Sequence, residues 1–149
     1  MLGTLLRLAA MAAILSLAPA RAVAAPNVQH LSGGGTASIS QVAMNVSIGT
    51  SGSASGTFEC LMAGRSGFVL GDFGLAHNMI VHATPSTGSV AGSIATFAGT
   101  ARLTLDGRQH VAVHVRVWAD VATQSFQLTV VEIGTLPVEI LASGHIALN

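Results

Sequence analysis

From Gly33 onward the chain alternates apolar and polar positions with a period of two, and clusters of Gly, Ser and Thr interrupt the alternation roughly every dozen residues. The clearest run is 110–118, where Val111, Val113, Val115 and Val117 share one face and His110, Ala112, His114, Arg116 and Trp118 the other. Before it, 94–104 sets Ala95, Phe97, Gly99, Ala101 and Leu103 against Thr96, Ala98, Thr100, Arg102 and Thr104. Leu105-Asp106-Gly107-Arg108 joins the two as a hairpin, because Asp-Gly supplies the positive φ that tight turns need.

Further strands follow from the same alternation. Phe126, Leu128 and Val130 mark one at 125–132, and Ile140, Ala142, Gly144, Ile146 and Leu148 mark another at 140–148, with Pro137 between them. Phe58, Cys60 and Met62 give the inward face of 53–62, and Met79, Val81 and Ala83 a further short strand. In 37–48 the phase changes: Ala37 and Ile39 alternate in one register and Val42, Met44, Val46 and Ile48 in the other, which predicts a β-bulge at 40–42. No segment carries a helical stripe, and 67–77 reads as a strand or compact loop. The predicted fold is all-β, seven or eight antiparallel strands in a single barrel or a barrel-like two-sheet sandwich. Glycines inside strands (Gly56, Gly92, Gly99, Gly144) favour the barrel, since they permit tight coiling.

The first 24 residues stand apart from this pattern. Arg7 closes a short n-region, 8–17 is apolar, and Pro19 opens a small-residue stretch ending Ala22-Val23-Ala24, which together predict a secretory signal peptide cut near Ala24. The apolar run is shorter than the roughly 20 residues of a membrane-spanning helix, so the mature chain is expected to be soluble and either periplasmic or extracellular. A flexible lead, 25–32, and one β domain, 33–149, make up the remainder.

Composition narrows the function classes. Of six basic residues Arg7 and Arg21 leave with the leader, so four Arg remain against six acidic residues, and nucleic acid is excluded as a favoured partner. With no Tyr and one Trp, a sugar-binding aromatic platform is not expected. The single Cys60 has no disulfide partner and alternates with Phe58 and Met62, which points it into the core.

Six histidines invite a metal reading, but His110 and His114 lie about 13 Å apart by strand rise, too far to share one ion. Only partners from adjacent strands, such as those carrying His82 and His145, would change that, so neither metal nor cofactor is assigned. No G-x-S-x-G elbow is present, Gly71-Asp72-Phe73-Gly74 lacks the rest of a kinase, and no helix follows Gly33-Gly34-Gly35 to make it a phosphate loop. Asn45-Val46-Ser47 fits a glycosylation sequon. The most varied surface is the polar face of 110–118: His114, Arg116 and Trp118, with Arg102 on the paired strand, are the candidate ligand-binding residues for a small anionic or amphipathic molecule.

Gly33-Gly34-Gly35-Thr36, Asn45-Val46, Ser55-Gly56-Thr57-Phe58, Ile80-Val81-His82, the run 95–101, 113–117, Phe126-Gln127-Leu128 and Ala142-Ser143-Gly144-His145-Ile146 together resemble a small bacterial secreted β domain of the post-COAP type. The chain departs from that pattern after Asp120, where it has Val121-Ala122-Thr123-Gln124 in place of the Asn-Gly or Gly-Pro rich loop that the resemblance implies. The resemblance implies a compact extracytoplasmic β domain with no assigned chemistry. The expected function is thus a secreted non-catalytic module that binds a protein or cell-surface partner. Its alternatives are a carrier holding a small apolar ligand inside the barrel, and an isomerase- or cyclase-like barrel enzyme.

Overall fold

A computed structural model describes residues 27–64 and 78–149. The expected signal peptide with its cut near Ala24, the segment 67–77 and Gly71-Asp72-Phe73-Gly74 lie outside the described residues. Nine strands form one antiparallel sheet: β1 Val28–Ala37, β2 Gln41–Gly49, β3 Ala54–Met62, β4 Met79–Ala91, β5 Ile94–Leu105, β6 Gln109–Asp120, β7 Ser125–Val130, β8 Gly134–Thr135 and β9 Glu139–Leu148. Their order is β6-β5-β4-β3-β2-β1-β9-β7-β8, and β6 also pairs with β7, so the sheet returns on itself as a ring. Among the described residues no helix is long and apolar enough to cross a membrane.

Alternation decides what the ring encloses. Val42, Met44, Val46 and Ile48 of β2, Phe58, Cys60 and Met62 of β3, and Val113, Val115 and Val117 of β6 are all buried. Phe58 sits among them at 0% exposure, its ring edge-on to Phe97 at 5.6 Å and to Phe126 at 6.4 Å. Edge-to-face rings of this kind add to simple area burial. Cys60 is a buried free thiol, as its alternation predicts.

Local chemistry sets the turns. Leu105 O accepts from Arg108 N at 3.0 Å, with Asp106 at φ +50° and Gly107 at φ +68°, so the Asp-Gly hairpin forms where the sequence places it. Two expectations change. The phase break after Ala37 is a chain reversal instead of a bulge: β1 and β2 are separate strands paired through Thr36↔Gln41, and Ala37 N donates to Ser40 O at 2.7 Å. Val28 already pairs with Gly49, so 28–32 is strand and not a flexible lead, and Leu31 is fully buried.

Bulges do occur elsewhere. The register of β4 against β5 shifts between Pro85 and Thr87, which lets the expected short strand run for 13 residues past a proline that has no N–H to give the ladder. On β9 the register against β1 shifts between Thr36 and Ala37, whose partners are Ser143 and Leu141. Ala142 is the extra residue, and it reverses the faces of the strand's first turn. Ile140, expected inside with Ile146, is therefore 60% exposed, while Glu139 is 1% exposed.

The glycine triplet belongs to the middle of β1. A Cβ on Gly33, at φ +125°, would lie 2.0 Å from His145 O, and one on Gly144, at φ +89°, would lie 2.1 Å from Gly34 O. Only glycine lets β1 and β9 approach this closely with that coil.

Candidate functional site on the outer face

The antiparallel register lines up outward side chains of four strands in two rows. Ser89 of β4 faces Thr96 of β5, Thr96 faces Trp118 of β6, and Trp118 faces Gln127 of β7. Beside it runs Thr87, Ala98, Arg116 and Thr129. The rows floor a concavity of about 440 Å³ walled at one end by Gly52, the tip of the β2–β3 hairpin, whose carbonyl accepts from Gly88 N at 3.0 Å. Gly88 contributes no side chain to the floor. The register shift of β4 against β5 between Pro85 and Thr87 falls at the edge of this hollow.

Hydrogen bonds fix much of the rim. Ser89 Oγ and Thr96 Oγ1 are 2.8 Å apart, Thr129 Oγ1 and Thr135 Oγ1 are 3.0 Å apart, and Gln127 Nε2 donates to Leu136 O at 2.9 Å. Trp118 is half-buried in the floor, whereas Arg116 is exposed. Among the described residues no carboxylate pairs with Arg116. Arg116 therefore stands beside a half-buried indole in a hollow rimmed by the hydroxyls of Ser89, Thr96 and Thr129.

The four expected site residues are divided by register. Arg116 and Trp118 line the hollow together. His114 faces Thr100 in the next row and lines an adjoining concavity of about 350 Å³ with Ser86, Thr100, Arg116 and Val131. Its Nδ1 lies 2.7 Å from Glu132 Oε1, and its backbone N–H donates to both carboxylate oxygens at 3.0 and 2.9 Å. The imidazole bond and then the backbone bond hold Glu132 below the usual carboxylate range. Arg102 is not part of the group: it faces His82 and Ala112, two rows or about 13 Å from Arg116 by strand rise.

Register also accounts for the histidines. His82 sits 3.0 Å from Glu59 of β3, His30 Nδ1 3.2 Å from Ser47 Oγ, and His110 Nδ1 3.0 Å from Thr104 Oγ1. His82 and His145, treated as potential neighbours, belong to β4 and β9, which do not pair. Among the described residues no three of His, Cys, Asp and Glu gather as a metal cluster.

The sequence reading missed the hollow's hydroxyl and amide rim, Ser89, Thr96, Gln127 and Thr129. Each lies on a face that alternation marks as polar, but only the register joins them to Trp118. It also missed Glu139, whose Oε2 accepts from Ile39 N at 3.0 Å while both oxygens accept from Ser40 Oγ at 3.0 and 2.9 Å, clamping the β1–β2 turn to β9. A second hollow of about 510 Å³ lies over β1–β3 and includes Glu59, which is already engaged by His82. It is larger, and among the described residues Glu59 is the one charged side chain that lines it.

No family model, curated protein or solved structure matches the chain.

Proposed function

We propose that the chain is an exported, non-catalytic β-barrel of the kind the post-COAP resemblance implies, and that it works as an interaction module of the cell envelope or surface through the hollow over β4 to β7. One observation carries this reading: the ring's interior is packed with apolar side chains, while the outer hollow holds Arg116, which has no carboxylate partner among the described residues, beside a half-buried Trp118. A carrier would store its cargo inside, where Phe58, Phe97 and Phe126 already meet in edge contact. An enzyme would aim a base or nucleophile into the hollow. Its polar lining is Arg116, Gln127, Ser89 and three threonines; the neighbouring base, His114, lines the adjoining concavity and has its Nδ1 2.7 Å from Glu132 Oε1.

The test is sedimentation of the purified, processed protein with cell envelopes of its host. Wild type should co-sediment saturably, and an Arg116→Ala/Trp118→Ala variant of unchanged melting temperature should stay in the supernatant. Equal sedimentation of both would move the interaction away from this hollow, and turnover of a substrate abolished by the same substitutions would replace a module with an enzyme.

A further inference from the structure

The rows over β4 to β7 constrain what the hollow can hold. Arg116 and Trp118 are two residues apart on one outward face, about 7 Å by strand rise, so a guanidinium and an indole present themselves side by side. A guanidinium with no carboxylate partner among the described residues calls for an anion, and its planar fork fits a carboxylate in two parallel hydrogen bonds. An indole lying in a floor offers an apolar face on which the C–H face of a saturated ring can rest.

The rim then decides what the carboxylate is attached to. Ser89 Oγ and Thr96 Oγ1, 2.8 Å apart, stand at one side of Trp118. Gln127 stands at the other, with its Nε2 committed to Leu136 O at 2.9 Å, which fixes the amide plane and leaves Oε1 to accept. Thr129 flanks Arg116. An acyl chain laid here would strip water from these hydroxyls and the amide and give nothing back. A ring bearing hydroxyl groups satisfies them.

We infer that the hollow takes a uronate unit of an acidic saccharide, its carboxylate on Arg116, its ring on Trp118 and its hydroxyls on Thr96, Ser89 and Gln127. The inference rests on the proposed interaction site and names its ligand class. It also reverses the expectation that a chain without Tyr would not bind sugars: one indole suffices for one ring when the register supplies the polar partners around it.

Trp118 is the chain's single Trp and there is no Tyr, so its fluorescence reports the hollow without interference. The processed protein is titrated with oligogalacturonate, oligomannuronate, the methyl ester of the first, and laurate. At least one free uronate should change the emission saturably, its affinity falling with added salt, and the methyl ester should bind about tenfold or more weakly through loss of one charge-assisted pair. Arg116→Gln should lower uronate affinity by about the same factor and flatten the salt dependence. Laurate binding more tightly than either uronate, the ester matching its acid, or silence from both uronates would overturn the ligand class. If envelopes still sediment the protein through this hollow in those cases, the site stands and only the saccharide falls. If the doubly substituted variant sediments like wild type, the site itself falls.

Discussion

Glu139 shows how much one side chain can carry at the level of a single residue. Its carboxylate is closed off from water and satisfied by Ser40 Oγ and Ile39 N–H. Truncation would strand two donors in the interior, so Glu139→Ala should cost about 3 kcal/mol in urea unfolding, and Glu139→Gln, which keeps an acceptor, about half as much. Cys60 is the opposite case, a thiol pushed up to about 12 by burial, with Ser40 drawing it down and Glu139 adding to the rise. It should stay silent to a disulfide reagent at pH 8 and react stoichiometrically once the protein is unfolded. Glu132 gives a pH signature. Its folded carboxyl is held low by the His114 imidazole, so what it contributes is present above the ordinary carboxylate pKa of about 4.3 and is lost as pH falls through the lower folded value. The His114 amide resonance should move in that acid window, and Glu132→Gln should abolish the movement.

At the scale of elements, the strands whose partners lie next to them in sequence were readable, and those closed by distant partners were not. The β5–β6 hairpin needed only the Asp-Gly pair and two alternating runs. On β9 the alternation continues unbroken through Ile140, yet the bulge at Ala142 reverses it, because the strand answers to β1 more than a hundred residues earlier and no local signal records that register. The same holds for the binding rows: Trp118 and Thr96 could be paired from the hairpin, but Gln127 joins them through a separate strand pairing. Between β7 and β9 the ladder has two pairs, Ser125↔Ile140 and Phe126↔Glu139. Beyond them the Gln124 side chain stands in for a strand, its Nε2 donating to Ile146 O and its Oε1 accepting from Ile146 N, both at 2.9 Å. Gln124→Ala should therefore speed exchange of the Ile146 amide selectively and lower stability by about 1 to 2 kcal/mol.

For the whole molecule, the phenyl cluster ties β3, β5 and β7 together inside the ring. Phe58→Ala should remove about 3 to 5 kcal/mol, measured by thermal or urea unfolding, because two ring neighbours lose their edge contact and the closed ring leaves little room to collapse. Ring closure itself follows from alternation and in-strand glycines, which is why the all-β class was legible while the order of strands was not. Pairing of β1 with β9 joins the ends of the described domain, and His30 and Asn149 exchange backbone bonds of 2.7 and 3.0 Å. That seam has a consequence in time. Seven pairs of strands adjacent in sequence can assemble as the chain becomes available, but β1 must wait, its other edge bare, until β9 arrives from the far end. While it waits, an exposed row of amides and carbonyls beside Gly33, Gly34 and Gly35 is open to any other extended chain, so the slow step of folding is also the moment of greatest exposure to aggregation.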